Sequence, residues 1–513
     1  MSLSSSEQPP GLKHNALGAR DLVFIVVSAA APLMVMVGVA PLAIMIGGIG
    51  APAAYVFAGI ALAIFAVGFT TMSRHIDNVG AFYSYIAVGL GRTAGVIAAL
   101  VALVSYNALQ IGVYGLLGVT AESTFSDLFK IDLSWWVYAL AGVAIVWFVG
   151  FRSVDFGAKF LAILLTAETS LLLILAVAIL VQGGAGIDFT SFSPHHLLVR
   201  PMTVILPTAF AAFMGFEATV IYRSETREPR KTIPRATYAA VAILALTYAF
   251  IVWAIIQAFG AEHAVGAASN DTVGMFFTAS DRYVGTWFST VMHLLMVTSV
   301  IASLVAFHNA VTRYTLAISN EGLLPAGLAR IHPRTRSPYV AGLGQTALAL
   351  TIVAGFAIGH ADPYAQLLIW VNTPGIFGML LLQVAAAVSV VVFFRRRSAQ
   401  EGAWRTLVAP LLSAALMVFA MVLAAKNISF LTGTTGLVND VVLWTIPATC
   451  LVGVMWAAWL RRARPDVFNG LAAACESPSS SSQTGPVSGA GPEPDLPGPQ
   501  SGAGPDESPV PAA

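Results

Sequence analysis

Charge is what this sequence has least of. Only 10% of its 513 residues are Asp, Glu, Lys or Arg, whereas a soluble globular protein carries roughly 25% to meet water over its surface. That scarcity excludes a water-soluble multidomain enzyme. The 26 basic and 25 acidic residues leave a net charge of +1, so no nucleic-acid partner is expected. Cysteine is nearly missing as well. Cys450 falls in the last apolar segment and Cys475 in the tail, which leaves neither a disulfide framework nor a cysteine metal site. No His-Glu-x-x-His pair, Walker loop or Gly-x-Ser-x-Gly elbow occurs, so no enzyme activity, metal or cofactor is expected. Residues 1–19 lack the apolar core and small-residue cleavage site of a signal peptide, and the first apolar segment is expected to stay as a span.

What is abundant is hydrocarbon: 57% of residues are apolar and the mean hydropathy is +0.79. A bilayer core about 30 Å thick takes roughly 20 apolar residues per helix. Apolar stretches bounded by charge, Gly or Pro predict twelve spans, at about 21–46, 51–72, 94–118, 133–150, 157–181, 202–222, 236–258, 283–318, 339–359, 364–394, 404–425 and 440–460. With the N-terminus inside, 22 of the 26 Lys and Arg lie on the cytoplasmic side, and only Lys130, Arg200, Arg282 and Lys426 lie outside. The bias holds loop by loop, as the positive-inside rule requires. The expected fold class is therefore an all-α polytopic protein of the cell (inner) membrane with both termini cytoplasmic. It divides into a cytoplasmic segment 1–19, a twelve-helix domain 20–465 and a tail 466–513. Nine prolines among Gly and Ser between 478 and 511 predict that the tail is disordered.

Within lipid, a broken helix or a charge must face something other than hydrocarbon. Breaks are invited by Ser28-Ala29-Ala30-Ala31-Pro32 in the first span, by Pro207 and Phe213-Met214-Gly215-Phe216-Glu217 in the sixth, and by Asn372-Thr373-Pro374-Gly375 in the tenth. The first and sixth stand five helices apart, as a five-plus-five inverted repeat with one discontinuous helix per half predicts. The tenth fits a proline kink equally well. Glu168 in the fifth span and Glu217 in the sixth are acidic residues with no Lys or Arg near the middle of any span to neutralise them. They favour a positively charged passenger, a proton, or both. A protonated Glu bonded to a neighbouring helix is the plainer alternative for each. Tyr106, Asn107 and Gln110 lie within about one turn of the third span, and His293 sits near the middle of the eighth. Each fits ordinary interhelical hydrogen bonding as well as a wet cavity. Phe210, Phe213 and Phe216 recur every three residues beside the sixth-span break, as packing on neighbours or as a cation–π gate.

Beyond these patterns, Phe213-Met214-Gly215-Phe216-Glu217 and the following Glu225-Thr226-Arg227-Glu228-Pro229-Arg230-Lys231-Thr232-Ile233-Pro234-Arg235-Ala236 resemble the signature of the amino acid–polyamine–organocation permeases. Arg313-Tyr314 with Glu321-Gly322-Leu323-Leu324-Pro325, and Gly80-Ala81-Phe82-Tyr83-Ser84-Tyr85, are weaker matches to the same family. The resemblance implies a secondary transporter with helices 1 and 6 unwound at the membrane centre. Substrate would lie at Ala30, Ala31, Pro32, Leu33 and Met34 and at Phe213, Met214 and Gly215, with Tyr106 and Asn107 facing it and Phe210 or Phe213 as gate. Glu217 and Glu168 would couple a proton, or sodium, to the cycle. Many relatives carry Gly-x-Gly where this chain has Pro32-Leu33-Met34, and some carry Lys near Glu168. Proline offers no N–H to a carboxylate, so both departures lean toward an amine or polyamine in place of an α-amino acid. A membrane sensor or channel on the same scaffold, with the tail recruiting a partner, is the alternative from another class.

Overall fold

The computed structural model describes residues 18–76, 82–152, 158–197, 199–216, 226–397 and 401–471. All of them belong to one compact unit within Met1–Glu476. Glu217, Glu225, Gly80, Ala81 and residues 472–513 lie outside the described residues. The described chain is helical throughout and contains no extended strand, because in hydrocarbon only a helix or a closed barrel satisfies every backbone group.

In chain order the helices are α1 (Ala19–Ala29), α2 (Pro32–Gly38), α3 (Ala40–Gly47), α4 (Ala51–Met72), α5 (Phe82–Leu90), α6 (Arg92–Phe129) and α7 (Trp135–Phe151). Then come α8 (Ala158–Val181), α9 (Met202–Ala211), α10 (Pro229–Phe259), α11 (Ala264–Asn270), α12 (Met275–Tyr283) and α13 (Thr286–Asn320). Finally there are α14 (Tyr339–Ile358), α15 (Ile369–Arg396), α16 (Ala409–Lys426), α17 (Leu437–Ala463) and α18 (Pro465–Gly470). Nine stretches among the described residues are long and apolar enough to cross a membrane, against the twelve expected. The difference has identifiable sources. Pro32–Met72 counts as one stretch of 41 residues, which as a straight helix would be about 60 Å long, twice a bilayer core. It is interrupted at Val39 and turns through Gly48–Gly50, where Gly48 has φ 73°. Trp135–Phe151 has 17 residues, and Met202–Ala211 stops after 10.

The first-span break is narrower than expected. Regular bonding ends with Ala30 N–H to Val26 O and resumes with Val35 N–H to Ala31 O, each at 3.1 Å. Only Ala30 and Ala31 are unwound, while Pro32, Leu33 and Met34 open α2. Ala31 takes φ 43°, ψ 68°, a left-handed conformation that costs an L-residue about 1–2 kcal/mol. Pro32 keeps the residue before it out of the right-handed helix, which ends α1 here but does not itself select the left-handed turn. In the sixth span α9 gives way to tight i→i−3 bonds from Phe213, Met214 and Phe216, and Gly215 has φ 103°. No break occurs at Asn372-Thr373-Pro374-Gly375. α15 runs through Pro374, and the irregularity sits earlier, in a wide turn at Pro363–Leu368.

α6 and α15 pack against each other at the centre, with α13, α5 and α17 on α6, and α10 on α4. The apolar window of Pro32–Met72 is 78% buried and that of α17 only 22%. Trp444, Leu451 and Met455 of α17 are correspondingly exposed, the inside-out distribution expected where the surroundings are lipid. Residues past 465, expected to be part of the tail, instead begin as the short α18. Asn469 there accepts a hydrogen bond from Arg92 at 3.3 Å, and Leu471 is buried.

Candidate functional site

At the centre of the bundle is a cavity of about 90 Å³. Met34, Val35 and Val39 line it from α2 and its end, and Leu109 and Val113 from α6. Thr208, Ala211 and Met214 face it from α9 and the turn after it, and Asn372 and Ile376 from α15. Both interrupted helices thus border one space. Its described lining contains no charged residue, and the polar ones are Thr208, Asn372 and Thr373. Thr373 donates to Ile369 O at 2.6 Å. Thr208 Oγ1 is buried without a partner, a state that costs about 1–3 kcal/mol unless something supplies the bond.

A second and larger cavity, about 930 Å³, opens at the end of the bundle opposite the basic loops. Leu42 and Ile369 line both cavities and form the wall between them. Beside that wall Tyr364 donates to Gly38 O at the end of α2, 2.7 Å away. Glu122, Asp127, Asp271, Asp281 and Asp362 line this vestibule, with no Lys or Arg among its lining. Part of the acidity is structural: Asp362 caps the wide turn by accepting from Tyr364 and Ala365 N–H, and Asp271 accepts from Gly274 N–H. His293 also lies here. It stacks on Phe277 with centroids 3.6 Å apart, bonds Thr124 at 3.2 Å and stands 4.0 Å from Asp127.

Glu168 is 3% exposed on α8. Its carboxyl lies beside the backbone N–H of Leu33 and the hydroxyl of Ser299, so it addresses the broken first span from behind. Among the described residues no ion pair engages it. Tyr248 donates to Ala30 O at 3.4 Å and packs edge-on against Tyr55, centroids 5.9 Å apart. The carboxyl of Glu168 and the phenol of Tyr248, with Tyr55 packed behind it, therefore lie beside the break at Ala30 and Ala31.

Of the residues singled out from sequence, Met34 and Met214 line the central cavity. Ala30 and Ala31 form the first break, Gly215 the second, and Leu33 offers its N–H to Glu168. The phenylalanines expected to close over substrate point elsewhere. Phe210 packs on Phe57 and Phe213 on Tyr248. Asn107 returns its amide to Leu103 O at 2.8 Å within its own helix. Tyr106 belongs to an aromatic cluster at the basic end with Tyr314. There Tyr83 donates to Glu321 Oε1 at 2.9 Å and packs on Tyr314 at 5.4 Å, which ties two of the sequence motifs into one closure. Gln110 bonds Gln345 of α14. Sequence reasoning missed Thr208, Ser299 and Tyr364. Thr208 was legible only as the neighbour of Pro207, and the other two carry no local signal.

Membrane-length apolar helices, with two interrupted segments bordering one cavity, define a multi-pass membrane protein of the permease class. The chain belongs to the amino acid permease family, whose pattern it matches over residues 21–462. It is similar to an uncharacterised transporter of Mycobacterium tuberculosis, at 32% identity over 158 residues, 30% of this chain and 34% of that protein. This chain thus matches only about a third of that relative's length. It is also similar to the serine/threonine exchanger SteT of Bacillus subtilis, at 24% identity over 72% of this chain and 78% of the other. A third relative is the low-affinity putrescine importer PlaP of Escherichia coli, at 23% identity over 56% and 63%.

Proposed function

We propose that this protein is a secondary transporter that moves an amino acid or amine across the inner membrane by alternating access, driven by protons. The observation that carries the reading is the cavity bordered by both interrupted helices. It is separated from the vestibule by the Leu42–Ile369 wall and Tyr364, and the basic end is closed by Tyr83, Tyr314 and Glu321. A cavity with a closure on each side is what alternating access needs, and half-helix ends at the membrane centre are where such carriers hold cargo. Counting two spans in Pro32–Met72, and adding α1 to the first of them, α7 and the sixth span, supports the twelve-span, five-plus-five arrangement. The basic loops then place both termini in the cytoplasm.

In this reading Glu168 carries the coupling proton, since its carboxyl contacts the N–H that starts α2 and can report its protonation to the helix that must move. Glu217 is the second candidate, on its sequence position alone. An amine substrate is the second reading, favoured by the five carboxylates around the vestibule, which raise the local concentration of cations. Purified protein in vesicles should take up a labelled neutral amino acid or amine faster under an inward proton gradient. Absence of uptake across a panel of both would reject transport in favour of a sensor. Uptake that persists after removal of residues 476–513 would make the tail dispensable for the carrier.

A further inference from the structure

We propose that the acidic vestibule binds a flexible organic polycation, with ammonium groups spaced along a hydrocarbon chain, which stays at the mouth and slows uptake from that side. The binding stands on the vestibule alone, and its effect on uptake rests on the transporter reading. The cavity of about 930 Å³ has the size of a site for an organic ligand and is far larger than one ion needs. Glu122 and Asp127 reach it from α6, Asp271 from between α11 and α12, Asp281 from α12 and Asp362 from before the wide turn. Asp271 and Asp362 are committed to backbone N–H groups. Asp281 is exposed, and among the described residues no ion pair engages it. The cation beside it in sequence is turned away: Arg282 lies over the Tyr283 ring, 5.2 Å from its centroid, and donates to Ala258 O.

Among the described residues no three acidic, cysteine or histidine side chains stand close enough to hold a metal ion. Dispersed negative charge in a large cavity suits a guest whose positive charges are dispersed as well. Ser289 of α13 adds a polar contact for it. This residue is 5% exposed and lines the vestibule. Thr290 beside it closes its hydroxyl on Thr286 O at 2.9 Å, whereas among the described residues the Ser289 hydroxyl has no hydrogen-bond partner. Ser280 and Ser319 also lack partners, but their oxygens are sealed from solvent, and that of Ser289 is not. Its lone pairs can accept from an ammonium N–H. Val119, Leu128 and Phe277 line the same cavity and give the hydrocarbon links of the chain an apolar surface to cover. The guest goes no further, because the Leu42–Ile369 wall closes the vestibule and the described lining of the cavity beyond has no carboxylate. Passing that wall would strip several charges of water without supplying a partner. An occupied vestibule therefore obstructs the wall that uptake must open.

The test uses spermine on the purified full-length protein, by thermal shift and by its effect on the uptake of a transported amino acid into vesicles. Spermine should raise the melting temperature with a saturating dependence on concentration, and should slow uptake when added on the vestibule side alone. Asp281→Asn should weaken both effects about tenfold and Ser289→Ala about threefold, with the melting of the unliganded protein unchanged. Asp440→Asn, which alters an exposed carboxyl outside the vestibule lining, should change neither effect. Equal protection by magnesium at the same concentration of charge would reduce the vestibule to diffuse attraction and overturn the proposal. Equal spermine affinity in wild type, Asp281→Asn and Ser289→Ala would overturn it too. Labelled spermine accumulating inside the vesicles would make the polycation cargo, which overturns the proposal and leaves the transporter standing. A thermal shift with the expected pattern of variants, but no uptake of any amino acid or amine, would uphold the site and overturn the transporter reading.

Discussion

Replacing Glu168 by Gln separates coupling from carriage. The amide keeps an oxygen for the Leu33 N–H and stays beside Ser299, so the shape of the helix-1 break is retained while the one exchangeable proton at that place is lost. With one proton per neutral substrate and no membrane potential, each unit of pH difference is worth about 1.4 kcal/mol, a factor of ten in accumulation. Wild-type vesicles held one pH unit more acidic outside should therefore concentrate substrate about tenfold. Glu168→Gln should reach a ratio of about one, yet still exchange internal for external substrate in a counterflow assay. Glu168→Ala differs in kind: it leaves the Leu33 N–H and the Ser299 hydroxyl facing an empty space, at a cost of about 1–3 kcal/mol, and should melt lower than the Gln variant. Tenfold accumulation surviving in Glu168→Gln would refute the assignment. A fall from about a hundredfold to tenfold would mean that a second group, with Glu217 first in line, carries another proton.

Two further outcomes concern the closures and the packing that surround the cavity. Burial pushes the Glu321 carboxyl above its ordinary 4.5, with the hydrogen bond from Tyr83 opposing. The folded protein thus holds that proton more tightly than the unfolded chain does, and this stabilisation is complete below pH 4.5 and lost as pH rises through the folded value. Glu321→Gln should therefore gain in melting temperature over wild type as the pH is raised from 4.5, and a difference independent of pH would contradict the burial. Gly375→Ala would drive a methyl to 2.8 Å from both Leu109 Cγ and Ser105 O of α6, and should lower stability by about 1–3 kcal/mol. Gly344→Ala on α14, which meets nothing within 4 Å, should be neutral or mildly stabilising by helix propensity. Equal melting of the two would refute the close α6–α15 contact.

The membrane class and both helix interruptions were legible in the sequence because they rest on local facts. Hydrocarbon runs, the Ala31-Pro32 pair and Gly215 declare themselves without reference to any neighbour. Glu168 was legible for the same reason, as a carboxyl in a run of leucines. What could not be read was direction. Phe210 and Phe213 share the spacing of a gate, but whether a helix turns that face to the cavity or to Phe57 and Tyr248 depends on its rotation within the bundle. The same holds for Asn372, flagged for a break that α15 does not have, yet placed by that helix on the cavity wall. Thr208 was invisible because its place on the cavity wall exists only relative to a fold. Pro32 stands at the first position of α2, where the missing N–H costs the helix nothing and removes a donor that a carboxylate could have used.

The central claim is that the passenger occupies the cavity between the broken helices. It is tested most directly by a cysteine at Ala211 on the cavity wall, in a chain whose Cys450 and Cys475 have been replaced by Ser. A small thiol reagent should label it slowly in the apo protein, and a saturating concentration of a transported amino acid should slow the labelling by about tenfold or more, in step with occupancy. A labelling rate indifferent to a substrate that the same vesicles demonstrably carry would contradict the account.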